Sequence, residues 1–179
     1  MGKVKYVKTP LDKKTIASLR AGDEVLLSGQ VYTARDQVHL KLRDMIKNRK
    51  ALPVDLKGIV IYYCGPTPPC KRAIGSCGPT TSGRMDPFTP DLLRAGMKGM
   101  IGKGRRSARV RDQIKRSRAV YFIAPGGAGA YLSEKVKACE VVAFRDLGPE
   151  ALYRLTVKDF PLIVGIDSRG LDIYEGLQG

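Results

Sequence analysis

The sequence is poor in several features that particular functions need. Only one of its 179 residues, His39, is a histidine, which excludes a zinc site built from several imidazoles. No apolar stretch approaches the ~20 residues that a membrane-spanning helix needs. The basic N-terminus also lacks the apolar run of a secretory signal. We therefore expect a soluble, cytoplasmic protein with no membrane partner.

The four cysteines do not follow the spacing of common metal motifs. Cys64, Cys70 and Cys77 are separated by five and six residues, whereas zinc ribbons and ferredoxin clusters use a two-residue gap. A reducing cytosol argues against a structural disulfide among them. Their role stays open between semi-buried loop residues and cluster ligands.

Acidic residues are few, since 17 Asp and Glu face 32 Lys and Arg and the net charge is +15. Such a chain attracts polyanions, so nucleic acid, a small anionic substrate and an acidic partner surface all fit. The densest basic run extends from Arg105 to Arg118, and it contains no aromatic side chain on which a base could stack. We interpret this run as a solvated or partner-facing surface and expect no nucleic-acid partner. A basic nucleic-acid-binding protein remains the alternative of another class.

Hydrophobic patterning predicts strands that alternate with short helices, and no segment has the character of a linker. Strands are predicted at residues 24–33, 57–63, 97–102, 119–124, 140–144 and 162–166, with 152–157 between the last two. Helices are predicted at residues 12–19, 34–50, 91–95, 107–116 and 131–136. This alternation predicts one α/β domain over residues 1–179 with a mixed, partly parallel sheet.

Three segments concentrate groups that can hold an anion. Residues 33–39 stand at a strand-to-helix junction, where helix amides favour an anion and Arg35 can grip a carboxylate. Residues 75–86 combine glycines, hydroxyls and Arg84 in a long proline-rich loop, without the Gly-Lys-Ser/Thr of a nucleotide phosphate loop. Lys103 lies between two glycines at a predicted strand end, where ligands of parallel sheets gather.

Together these motifs resemble the C-terminal (β) portion of class I fumarate hydratases and the related L-tartrate dehydratase β subunits. The matching stretches fall in order along nearly the whole chain and are Tyr32-Thr-Ala-Arg-Asp-Gln-Val-His39, Tyr63-Cys-Gly-Pro-Thr67, Gly78-Pro-Thr-Thr-Ser-Gly-Arg-Met-Asp86, Ile101-Gly-Lys-Gly104 and Gly126-Gly-Ala-Gly-Ala130. The resemblance implies a swivelling β/β/α domain with layered sheets. It also implies a four-iron, four-sulfur cluster held by a separate α portion, so this chain would bind no metal and would be inactive alone.

The resemblance also assigns roles to individual residues. Arg35, Arg84 and Lys103 correspond to family residues that bind the dicarboxylate substrate, and Thr80 corresponds to the threonine proposed as catalytic base. Thr81 is a rival for that role and otherwise a substrate-binding residue. The supporting residues are Asp36, His39 and Asp86, of which either aspartate could orient the cations.

The motifs do not separate fumarate from tartrate as the substrate. Fumarate hydration to L-malate is our first expectation, with tartrate dehydration to oxaloacetate as the alternative. The expected partners are an α subunit carrying the cluster and further β chains, in an α2β2 assembly by analogy. A stand-alone domain that binds a small dicarboxylate without turnover is a third possibility.

Overall fold

The structure is a computed structural model that describes residues 4–68 and 73–175. The strands in these ranges are β1 (Lys5–Lys8), β2 (Glu24–Thr33), β3 (Val60–Tyr62), β4 (Gly99–Gly102), β5 (Val120–Ile123), β6 (Val136–Ala143) and β7 (Leu152–Ile166). The helices are α1 (Lys13–Ser18), α2 (Asp36–Lys47), α3 (Thr89–Arg94), α4 (Ala108–Ser117) and α5 (Gly129–Glu134), together with 3₁₀ turns at Ser82–Met85 and Arg145–Glu150.

The strands form one mixed sheet in the order β1-β2-β3-β4-β5-β7-β6. Strands β1 to β5 are parallel neighbours, whereas β7 is antiparallel to β5, β6 and β2. Because β7 pairs with both β2 and β5, strands β2, β3, β4, β5 and β7 close into a ring. The predicted α/β class with a mixed, partly parallel sheet is confirmed.

Strand β7 is longer than the sequence predicts. Residues 152–157 and 162–166 were expected as separate segments, but they belong to one 15-residue strand. The pattern breaks at Asp159, which has a φ of 49°, and opposite it β2 carries a bulge between Leu27 and Gly29. Ser28 Oγ accepts a hydrogen bond from Asp159 N at 3.0 Å and so bridges the irregularity. The strand therefore continues through a local kink. The kink interrupts the alternation of apolar residues, so the sequence pattern predicts two segments.

Several other boundaries also differ from the prediction. The prediction missed β1, a four-residue edge strand with lysines at both ends. Helix α2 begins at Asp36 rather than residue 34, because Ala34 N still donates to Tyr62 O of β3 at 3.1 Å. The proline-rich loop at residues 75–86 contains the 3₁₀ turn Ser82–Met85, and α3 begins at Thr89 rather than at residue 91. Strand β6 begins at Val136, four residues before the predicted start.

The protein has two apolar cores, one inside the ring of strands and one between the outer face of the sheet and the helices. On β3, Val60 and Tyr62 face the cluster inside the ring, where Phe122 and Phe160 also pack. The intervening Ile61 faces the second cluster, in which helices α2, α3 and α4 cover the sheet. A strand buried on both faces explains the continuous apolar run of the sequence. No helix in the described ranges is long and apolar enough to cross a membrane.

Candidate functional site

The predicted site residues gather at one edge of the sheet. Strands β2, β3, β4 and β5 are parallel, so their carboxyl ends share an edge. Arg35 follows β2, Lys103 follows β4 directly, and Gly126 lies three residues beyond β5. This edge is where open α/β sheets usually bind ligands.

The segment 79–82 joins the ends of β3 and β4. Thr80 N donates to Tyr63 O at 2.6 Å, and Lys103 N donates to Thr80 O at 3.3 Å. Ser82 N then donates to Lys103 O at 2.9 Å, and Thr81 pairs with Lys103 in parallel register. The sheet therefore brings both threonines beside Lys103. Thr80 is half-buried, whereas Thr81 and Lys103 are exposed.

Arg84 connects this segment to α2. Its Nη2 donates to Asp36 Oδ2 at 2.6 Å, and about half of the Arg84 side chain is exposed. Asp36 lies in the first turn of α2, where a carboxylate also interacts favourably with the helix dipole. Of the two aspartates expected to orient the cations, Asp36 is therefore the one paired with Arg84.

Arg35 is more enclosed than Arg84. Its side chain is only 30% exposed, and its Nε lies 3.5 Å from Glu150 Oε1 without forming a hydrogen bond. The guanidinium also packs against the backbone at Gly65, where an added β-carbon would lie 3.2 Å from Arg35 Nη1. The side chain thus lies between Glu150 and the backbone at Gly65, while its Nε keeps an unused donor.

His39 supports the backbone of Arg35. It is fully buried, and its Nδ1 lies 2.8 Å from Arg35 O, so Nδ1 carries the proton and donates to that carbonyl. Its Nε2 is buried without a hydrogen-bond partner in the described part of the chain. Burial, together with nearby Arg106, lowers the pKa of His39 to about 4, despite the opposing hydrogen bond to Arg35 O. His39 is therefore neutral near pH 7.

Asp86 pairs with Arg106, which belongs to the basic run predicted to form a solvated or partner-facing surface. That interpretation is wrong for Arg106, whose side chain is fully buried. Asp86 Oδ1 accepts from Arg106 Nε at 2.7 Å, and Oδ2 accepts from Ser107 N at 2.7 Å. The remaining donors of the guanidinium reach Thr89 Oγ1 at 2.8 Å and Tyr63 Oη at 3.3 Å.

The Arg106 guanidinium is linked to the candidate site through two tyrosines. It stands over the rings of Tyr63 and Tyr121, at 5.4 and 5.1 Å from their centroids. Tyr121 Oη in turn donates to Gly104 O at 2.8 Å and lies 2.9 Å from Ser82 Oγ. Since these groups flank Lys103 and Arg84 in sequence, the buried network fixes both segments. The sequence did not predict the burial of Arg106, because its neighbours in the basic run do not distinguish it from the exposed arginines.

The glycine turn after β5 packs against the same loop. Cys77 N donates to Gly129 O at 3.2 Å, and an added β-carbon on Gly129 would lie 2.9 Å from Gly78 N. At Gly126 such a carbon would lie 3.8 Å from Lys103 Cδ. The absence of side chains therefore lets this turn close one side of the candidate site.

The described cysteines do not fit an iron–sulfur cluster. Cys64 and Cys77 are buried in the apolar core, and burial raises the pKa of both thiols, that of Cys77 to about 12. A cluster ligand must be a thiolate in a group of several ligands. The described residues contain no group of three or more His, Cys, Asp or Glu suited to a metal ion. Cys70 lies outside the described residues.

Comparison with known proteins shows which family the chain belongs to. The family model described as "Fumarase C-terminus" matches residues 2–177. The chain is 39% identical, over 96% of its length, to a Methanocaldococcus jannaschii protein provisionally named L(+)-tartrate dehydratase subunit beta, of which it covers 92%. It is 37% identical to fumarate hydratase 2 of Leishmania major over 94% of its length. It is also 37% identical to the aerobic class I fumarate hydratase of Escherichia coli over 85% of its length. The chain spans only 30% and 28% of these two fumarate hydratases.

Proposed function

Because this chain belongs to the fumarase C-terminus family, we propose that it is the β subunit of a hydro-lyase that interconverts fumarate and L-malate in the cytoplasm. The supporting observation is that Arg35 and Lys103 follow the carboxyl ends of parallel strands β2 and β4. Arg84 lies in the turn Ser82–Met85, which backbone hydrogen bonds attach to the same edge. Thr80 and Thr81 lie beside Lys103 at the same edge.

The charges of this edge suit the reaction. Adding water to a double bond next to a carboxylate builds negative charge on that carboxylate in the transition state. Cations fixed at those oxygens stabilise the transition state more than the bound substrate, which accelerates the reaction. Two arginines and one lysine also match a substrate with two negative charges, and an arginine can bind a carboxylate through two hydrogen bonds.

Thr80 and Thr81 take different roles in this proposal. A threonine hydroxyl hardly ionises near neutral pH, so a catalytic base of this type needs neighbouring cations. Thr80 is the half-buried residue and is held by backbone hydrogen bonds to both neighbouring strand ends. We assign Thr80 as the base and exposed Thr81 as a substrate contact. Thr80→Val should then lower kcat, whereas Thr81→Val should mainly raise KM, and the reverse result would exchange the roles.

The other half of the site is assigned to a partner chain. The edge is open, since Thr81, Arg84 and Lys103 are exposed. The described residues offer no cluster ligands, and the fumarate hydratase relatives are more than three times longer than the matched region. We therefore propose an α subunit that carries the iron–sulfur cluster, an α2β2 assembly in which β chains also contact each other, and no turnover by this chain alone.

Tartrate dehydration is the second candidate function. The M. jannaschii relative named for tartrate has nearly the same length as this chain, unlike the longer fumarate hydratases. The name of that relative favours a separate α subunit and tartrate as a substrate to be tested. The residues of the candidate site suit either dicarboxylate.

Anaerobic co-expression with a candidate α subunit tests the proposal. The purified complex should convert L-malate to fumarate faster than tartrate to oxaloacetate, and the opposite ratio would favour the tartrate enzyme. Arg84→Ala or Lys103→Ala should each lower kcat/KM by about 10²-fold or more at unchanged iron content. Lys50→Ala, an exposed change outside the site, is the matched control. Wild-type turnover by both site variants would remove the assignment.

A further inference from the structure

A second basic site lies at the opposite end of the same strands. A cavity of about 890 Å³ is formed by residues from α1, from the ends of α3 and α4, and from the turn after β7. Lys98 directly precedes β4, and Arg118 precedes β5 by two residues. The cavity is thus at the amino ends of the strands whose carboxyl ends carry the candidate active site, roughly 15 Å away.

The lining of this cavity is strongly cationic. Seven of its fourteen residues are Lys or Arg, and none of the described lining residues is acidic. Arg94 is neutralised by Asp91, with 2.5 Å between Nη2 and Oδ1. The other six form no ion pair with any residue in the described ranges, and they are Lys13, Lys98, Lys115, Arg116, Arg118 and Arg169. The buried carboxylate of Asp167 nearby is bound by the amides of Ala21, Arg169 and Leu171.

Helix capping does not account for these charges. The C-terminal ends of α3 and α4 reach the cavity, and Lys98 Nζ donates to the terminal carbonyl of Ser117. A helix end contributes at most about −0.5 of a charge. Two such ends leave a surplus of about five positive charges in one concave site. Burial, and then Lys13 and Arg118, lower the pKa of Lys98, so the cluster is under mutual repulsion.

We propose that this cavity binds a polyphosphate group, as carried by inorganic tripolyphosphate or a nucleoside triphosphate. A triphosphate concentrates several negative charges within a few ångströms and accepts hydrogen bonds from cations on all sides. The six cations approach from four separate chain segments, which matches a compact anion better than an extended strand. No aromatic side chain is among the described lining residues to stack a base, whereas Leu11, Ile16 and Leu93 form an apolar wall.

Calorimetric titration of the full 179-residue chain with sodium tripolyphosphate tests the proposal. We expect saturable one-to-one binding that weakens as salt is raised. Lys13→Glu/Arg116→Glu should weaken it at least about tenfold, since both side chains are exposed and each reversal replaces attraction with repulsion. The control Lys8→Glu/Lys50→Glu makes the same change of net charge at exposed positions outside the cavity and should have less than about a twofold effect.

Further titrations identify the ligand source and the outcomes that would overturn the proposal. ATP binding more tightly than tripolyphosphate would indicate that the apolar wall accepts the nucleoside, and equal affinity would indicate recognition of phosphate alone. Absence of saturable tripolyphosphate binding, or equal weakening by both double variants, would refute a built site. Tight binding of a single-stranded RNA that tripolyphosphate does not displace would also refute it. Arg84→Ala should leave tripolyphosphate binding unchanged, so the test is independent of the proposed hydro-lyase.

Discussion

Acidification should destabilise this protein through His39. In the folded state its pKa is about 4, because burial and Arg106 disfavour the charged ring, whereas in the unfolded chain it is near 6.5. As the pH falls through 6.5, His39 becomes protonated in the unfolded chain but stays neutral in the folded chain. The contribution of His39 to stability is therefore complete above pH 6.5, declines from there to about pH 4, and changes no further below.

The loss of unfolding free energy follows from the shift in the pKa of His39. A difference of one pKa unit corresponds to about 1.4 kcal/mol, so His39 should cost about 3 kcal/mol of unfolding free energy between pH 7 and pH 4. His39→Asn is the matched variant, because its amide can replace the Nδ1 donor to Arg35 O but does not titrate. At pH 7 the smaller side chain should itself cost about 1–3 kcal/mol.

Urea unfolding of both proteins at several pH values measures the prediction. The wild-type midpoint should fall towards that of His39→Asn, and the two stabilities should meet or cross near pH 4. The carboxylates Asp12 and Asp23 have lowered pKa values, but their contribution is common to both proteins and cancels in the difference. Parallel stability curves from pH 7 to pH 4 would show that the buried ring is not held neutral, and the reasoning would be wrong.

Three further substitutions probe the support of the candidate site. Arg106→Met should lower the unfolding free energy by about 3 kcal/mol in urea melts, because it leaves the largely enclosed carboxylate of Asp86 without its buried cation. Gly102→Ala should lower kcat/KM of the complex strongly with a smaller loss of stability, because the new β-carbon would lie 1.9 Å from Ser82 Oγ and displace the loop that carries Arg84. Asp36→Asn should change stability by less than about 1 kcal/mol, since the Arg84 pair is half exposed, yet it should raise KM by releasing the guanidinium. An unchanged KM in this last variant would mean that the pair does not orient Arg84.

The common location of the candidate site residues was more predictable than their contacts. Arg35 and Lys103 each follow an apolar run that reads as a strand, and parallel strands bring their carboxyl ends together wherever the exact boundaries fall. The partner of Arg84 was not predictable in the same way. Two aspartates were equally available, and only the placement of the Ser82–Met85 turn beside the start of α2 brings Asp36 within 2.6 Å.

The buried charge of Arg106 and the edge strand β1 were not predicted, because both depend on residues distant in sequence. Arg106 is buried by groups that are distant in sequence, including Asp86 and Tyr63. Local composition could not separate it from its exposed neighbour Arg105. Strand β1 has too few apolar residues to show a strand pattern. It is a strand because its backbone pairs with β2, which its four residues alone do not predict.

The excess positive charge of the chain is divided between two ends of one sheet, and the two ends are built differently. At the carboxyl end Arg84 and Arg35 each have a carboxylate nearby, Asp36 and Glu150, so the proposed dicarboxylate would meet cations that are already oriented. Such an arrangement suits weak, repeated binding and release of a substrate, because the substrate must compete with the resident carboxylates. At the amino end six cations of the cavity lack ion-pair partners within the described residues. An anion there meets no such competition, so the physical expectation is tighter binding and slower release at that end, as an effector rather than a substrate would require.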